Sequence, residues 1–184
     1  MSALEEFDVL PWLAVQPTLP ASFDARDIFV GYLLLDAWIG NSDRHHQNWA
    51  IIQRDKRRFL SPSYDHGSSL GRNEPDTKMM GRLRGNDLRS TVETYAQKCR
   101  SALYEGPDAT RPMTTREAFS FAMENRRAAG AHWLASLLSL DGPRVSEVLE
   151  SIPDERCSDL HRRFASKILE INRHHLLMLS DNHD

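Results

Sequence analysis

The stretch from Ile28 to Ile39 constrains this chain most, because apolar side chains occupy nearly every side of any helix drawn through it. A single charge, Asp36, interrupts it. A helix with no polar face has nothing to offer water, so it belongs in the middle of a bundle, and a mainly α protein follows. Ser22 or Asp24 can cap its start by accepting free backbone N–H groups. Gly40-Asn41 suits its end, since glycine takes the left-handed conformation without a Cβ penalty. A buried helix that stops there holds the next loop on a rigid base.

That loop is Gly40-Asn41-Ser42-Asp43-Arg44-His45-His46-Gln47-Asn48. Trp49–Gln53 and Arg58–Ser61, with charged Arg54, Asp55, Lys56 and Arg57 between them, then read as the two short strands of one β-hairpin. The hairpin returns the chain to a second carboxylate, Asp65, in Ser63-Tyr64-Asp65-His66-Gly67. An Asp, an Asn five residues on, and a later Asp in a D-x-G turn form the layout of a phosphotransferase catalytic loop followed by a metal-binding loop. In that chemistry the first carboxylate meets the proton of the attacking hydroxyl. Asn48 and Asp65 offer the hard oxygen ligands that Mg²⁺ prefers.

Asp43-Arg44-His45 with Asn48 resembles the D-R-H-x-x-N of phosphatidylinositol kinases. Gly40-Asn41-Ser42-Asp43, His45 and Asn48, with Leu60-Ser61-Pro62-Ser63-Tyr64-Asp65, are more similar to bacterial HipA-like serine/threonine kinases, and this is the preferred resemblance. It is sharp over residues 39 to 67. It implies a helical kinase-like C-lobe with one short hairpin carrying the catalytic and metal loops. It also implies ATP and Mg²⁺ as cofactors, Asp43 as catalytic base, Asn48 and Asp65 as metal and cofactor ligands, and a protein Ser or Thr as acceptor. Arg44 and His45 would brace the loop from behind. A toxin–antitoxin or signalling context in the cytoplasm, with an antitoxin as a partner, comes with the family.

Two kinase parts are missing from these residues. A phosphate-binding Lys and a Gly-rich loop belong on an N-lobe, yet the first lysine is Lys56 and only Gly31 and Gly40 precede Asn41. The expectation is a C-lobe over residues 23–184, reached by an extended connector over 1–22 containing Pro11, Pro17 and Pro20, and needing an N-lobe from elsewhere. A non-catalytic pseudokinase or partner-binding module is the alternative. A lipid kinase and a metal-dependent hydrolase come behind it.

Composition narrows the rest. With 40% apolar residues, four Trp and seven Phe, 184 residues can bury one core. A net charge of −3 carries no polyanion signature, so nucleic acid is not an expected partner. Cys99 and Cys157 lack metal or disulfide spacing. No apolar stretch is long enough to span a bilayer, and the acidic start does not resemble a leader, so no membrane partner is expected.

Beyond Gly67 the sequence is polar and Gly-rich to Asn86, which predicts a mobile loop. Helices are expected over 87–104, 115–139 with a break at Gly130, 143–150, and 154–180. Thr114-x-x-Glu117 is a capping box, Pro143 suits a first turn, and Leu160, Phe164, Ile168 and Ile171 mark a buried stripe.

Each candidate has a plainer role to set beside the chemical one. Asp43 alone would read as an Asx-turn carboxylate; Asn48 and Asp65 turn the balance. His45, His46 and His66 with Asp43 and Asp65 offer a two-metal site, although adjacent histidines rarely point the same way. Arg44 reads as a carboxylate partner before a phosphate ligand. Tyr64 and Trp49 read as core. Ser61, Ser63, Ser68 and Ser69 read as local turn formers, and Arg54, Lys56, Arg57 and Arg58 as a solvated hairpin tip. His174, His175 and His183 receive no role.

Overall fold

The computed structural model describes residue 10 and residues 19–179. The 1–22 connector and His183 therefore lie mainly or wholly outside the described residues. Among those described, seven helices and one hairpin follow in order: α1 Ala25–Ile39, β1 Ile51–Arg54, β2 Arg57–Leu60, α2 Asp76–Arg84, α3 Val92–Gln97, α4 Thr115–Asn125, α5 Arg127–Leu138, α6 Gly142–Glu150 and α7 Asp159–Leu177.

The apolar stretch is central, as its composition demands. α1 packs against α4, α5 and α7, and Val30, Leu33 and Leu34 meet Phe119, Leu137 and Leu176 in the main core. Asp24, not Ser22, caps it: its carboxylate accepts from the Arg26 and Asp27 N–H groups, while Asp27 returns the favour to the Asp24 N–H at 2.9 Å. Gly40 ends it at φ 63°, a conformation that would strain any residue with a Cβ.

The hairpin pairs Ile51 with Leu60 and Arg54 with Arg57, around Asp55 and Lys56. Both turn residues have positive φ, 50° and 64°, which matches the twist of a two-residue hairpin turn. Leu10 adds a parallel bridge to β2 at Phe59. Tyr32 fastens the hairpin to α1 by donating its hydroxyl to the Ser61 carbonyl at 2.7 Å. Burial pushes that phenol up to about 12, against the pull of the Arg44 charge.

Four boundaries differ from expectation. The polar segment after Gly67 is not all loop: it holds α2, anchored by fully buried Met79, which joins Phe164 and Ile168 of α7 in a second cluster. The helix expected over 87–104 shrinks to α3, capped by Thr91 and Thr94, because the chain then turns into a bridge between Arg100 and Thr114. The long fourth-helix region breaks at Arg126 rather than Gly130. Arg126 is drawn back to α1, with ion pairs to Asp27 at 2.8 Å and Asp24 at 3.1 Å. Gly130 instead gives close approach, since a Cβ there would lie 2.1 Å from Met123. α7 starts at Asp159, after a Ser158 cap, and not at 154.

Candidate functional site

The last turn of α1 builds the base of the Asn41–Asn48 loop. Asn41 is fully buried, and both its backbone N–H and its side-chain amide donate to Asp36, each at 2.8 Å. Its own Oδ1 accepts from the Asp43 N–H at 3.2 Å. The position of Asp43 is thereby referred to a helix that cannot move without disrupting the core. Its carboxylate still reaches solvent, with 44% side-chain exposure.

Arg44 lies behind it with no exposure at all. Nε and Nη2 grip the Asp36 carboxylate as a fork, at 2.7 and 2.9 Å. Nη1 donates to the carbonyl of Asn48. The same guanidinium reaches across to Ser63 Oγ at 3.0 Å, to the Tyr64 carbonyl at 3.4 Å and towards His66 Nδ1 at 3.5 Å. One side chain thus joins the α1 interior, the Asp43–Asn48 loop and the residues on both sides of Asp65. The carboxylate role expected for Arg44 is the one it performs, because a buried guanidinium needs a paired charge and satisfied donors.

Asn48 is buried, and its amide nitrogen donates to the Asp43 carbonyl at 2.6 Å. That fixes the amide orientation and leaves Oδ1 as the end available to a cation. Asp65 is exposed and takes a left-handed φ of 56°, a conformation that an Asp tolerates better than most residues. The segment carrying it is pinned to the Asn41–Asn48 loop and the end of α1: Ser42 N–H and Oγ both donate to the Ser68 carbonyl, at 3.2 and 3.3 Å, and Leu70 N–H donates to the Ile39 carbonyl at 2.9 Å. Asp43 and Asn48 share one loop by a direct bond. Asp65 projects from the neighbouring loop.

His45 braces locally. Its Nδ1 accepts from the Gln47 N–H at 3.2 Å, and its Nε2 lies 3.5 Å from Asp43 Oδ1. His66 turns inward to Ser63 and Arg44. No three His, Cys, Asp or Glu side chains gather for a metal among the described residues. Two oxygen donors, Asn48 and Asp65, suit Mg²⁺, which normally takes one or two protein ligands and completes its shell with phosphate and water.

Other side chains fall into place with two corrections, Tyr64 and Ser61. Tyr64 is not core: it is 39% exposed, its hydroxyl donating to the Gln47 carbonyl at 2.8 Å. Trp49 does pack, edge-on to Phe29 at 5.6 Å. Ser63 and Ser69 bond locally to His66, whereas Ser61 makes no local turn: its Oγ accepts from the Ala50 N–H across the hairpin at 3.2 Å. Arg54, Lys56, Arg57 and Arg58 are exposed at the hairpin tip. The residues that sequence reasoning missed are Asp36 and Asn41. Asp36 had a visible signal as the one charge inside an apolar helix, eight residues before an arginine.

No protein-family model matches the chain, and no curated protein matches it. A solved structure of a Helicobacter pylori proinflammatory kinase, CtkA, has the same fold over 86% of this chain, with a TM-score of 0.64 at 16% sequence identity. The alignment covers 54% of that kinase, so the chain spans about half of its length. The fold is that of a helical kinase-like C-lobe with one two-stranded hairpin. No helix among the described residues is long and apolar enough to cross a membrane.

Proposed function

We propose that this chain is the C-lobe of a HipA-like, Mg²⁺-ATP-dependent kinase that transfers phosphate to a Ser or Thr hydroxyl of a protein. The observation that carries the reading is the Arg44 hub, which locks the loop of Asp43 and Asn48 against both neighbours of Asp65. A phosphotransferase needs those groups held together, because its catalysis is mostly positioning and electrostatic stabilisation.

In this reading Asp43 orients the acceptor hydroxyl and receives its proton. Asn48 Oδ1 and the Asp65 carboxylate hold Mg²⁺, which when bound neutralises charge on the nucleotide phosphates. Arg44 and Asp36 keep the two loops in register, and His45 restrains the Asp43 carboxylate. The same chemistry needs a phosphate Lys and a Gly-rich loop, which in this reading an N-lobe contributes in cis or in trans.

A second reading is a pseudokinase subunit that docks a partner or antitoxin without chemistry. Nucleotide binding separates the two. With Mg²⁺ present, ATP should bind weakly to the chain and more tightly once an N-lobe is added. Asn48→Ala or Asp65→Ala should remove the Mg²⁺ dependence. Nucleotide binding that ignores both substitutions, or none with the N-lobe present, supports the pseudokinase.

A further inference from the structure

Beside the catalytic loop lies a pocket of about 410 Å³, walled by Ser42 of that loop, Arg82 of α2, Arg89, Thr94 of α3, Lys98 and Arg100. Four cationic side chains line it and no carboxylate does, in a chain whose net charge is −3. Their charges are unequally committed. Arg82 pairs with Glu74 at 2.8 Å and lies over the Tyr95 ring at 5.2 Å, which makes it a fixed wall. Arg89 lies 3.6 Å from Asp87 with both side chains exposed, a pairing of little strength. Lys98 and Arg100 are exposed, and neither has an ion pair among the described residues.

The place of the pocket decides what such charge is for. Neither Asn48 nor Asp65 lines it, so its cations are not arranged around the metal and nucleotide phosphates. Ser42 does line it, and Ser42 directly precedes Asp43. The other walls come from chain beyond the Asp65 loop. Asp43 itself does not line the pocket, so an anionic group held there would lie beside the Asp43 loop rather than at its carboxylate, where the residues flanking an acceptor hydroxyl pass.

We propose that this pocket holds acidic side chains flanking the acceptor Ser or Thr of a protein substrate, so that the enzyme prefers acidic sequences. The proposal rests on the kinase reading for its meaning. Lys98 and Arg100, with the weakly paired Arg89, match two or three peptide carboxylates, whereas a polyphosphorylated headgroup brings more charge than they can offset. The hydroxyls of Ser42 and Thr94 suit the backbone of an extended peptide.

The test is fluorescence anisotropy on the whole 184-residue chain at low salt, since the attraction is electrostatic. The probes are a short labelled peptide with Ser flanked by Glu, the same peptide with Lys flanks, and a soluble inositol polyphosphate as competitor. The acidic peptide should bind at least about tenfold tighter than the Lys peptide, a difference of about 1.4 kcal/mol. The K98E/R100E double variant should lose that preference, K98Q/R100Q should lose part of it, and D65A should keep it. Circular dichroism should show unchanged helix in all of them. Charge-insensitive binding, no binding of the acidic peptide, or binding indifferent to K98E/R100E would overturn the proposal. An inositol polyphosphate that binds tighter and displaces the peptide would assign the pocket to a lipid headgroup instead. If Mg²⁺-ATP binding fails even with an N-lobe added while Lys98- and Arg100-dependent peptide binding survives, the kinase reading falls and a peptide site remains. If nucleotide binds and peptide selectivity is absent, the reverse holds.

Discussion

Arg44 and Asp36 show what a buried charge pair can do besides stabilise. Replacing one partner leaves the other uncompensated in the core, so Arg44→Ala should lower unfolding stability by about 3–5 kcal/mol in urea denaturation. Replacing both, Asp36→Leu with Arg44→Met, removes the charges together and should restore part of that stability, less what is lost when the buried Asn41 amide and Asn48 carbonyl lose their partners. Transfer by a chain completed with an N-lobe should stay lost in the double variant, because the two loops are no longer tied. Recovery of activity along with stability would deny Arg44 its positioning role. A second residue-scale expectation concerns acid. Burial acts to raise the Asp24 carboxyl, but the Arg26 hydrogen bond, two backbone N–H groups and the Arg126 charge outweigh it and bring it from 3.8 down to about 2. The Arg111 hydrogen bond and the Thr114 N–H take Glu117 from 4.5 to about 2 as well. A depressed carboxyl contributes stability that is whole above its unfolded value and lost as pH falls through the folded one. Urea midpoints should therefore decline as pH drops from about 5 to about 2, and Asp24→Asn should flatten that decline.

At the scale of elements, α1 and the hairpin were legible because their signals are local. An apolar run, an Asp cap, a Gly stop and two short strands split by a charged turn each reduce to a few neighbouring residues. α2 was hidden because its one buried side chain, Met79, gains its meaning only from Phe164 and Ile168 far along the chain. The break at Arg126 was hidden for the same reason, since its ion pairs reach Asp24 and Asp27. The site divides likewise. The residue types and spacing of Asp43, Asn48 and Asp65 stand in the sequence, but the Asp36–Asn41–Arg44 scaffold beneath them depends on burial. Met79→Ala should cost about 2–5 kcal/mol by leaving a cavity, with protection from hydrogen exchange lost first in α2. Gly40→Ala, forced to hold φ near 63°, should cost about 1–2 kcal/mol, seen as a lower thermal midpoint, and should loosen the Asp43 loop.

For the whole molecule, the fold is a kinase-like C-lobe and the chemistry proposed for it is incomplete without a second lobe. A carboxylate positioned for a hydroxyl has little to act on when half of the phosphate cradle is elsewhere. The deciding measurement is γ-phosphate incorporation from Mg²⁺-ATP by three preparations: the 184-residue chain alone, the chain completed with an N-lobe in cis or in trans, and the completed protein carrying Asp43→Ala. The account predicts negligible transfer by the chain alone, transfer by the completed protein, and its abolition by Asp43→Ala with helical content unchanged. Robust Asp43-dependent transfer by the lone chain, or undiminished transfer by the completed Asp43→Ala protein, would contradict it.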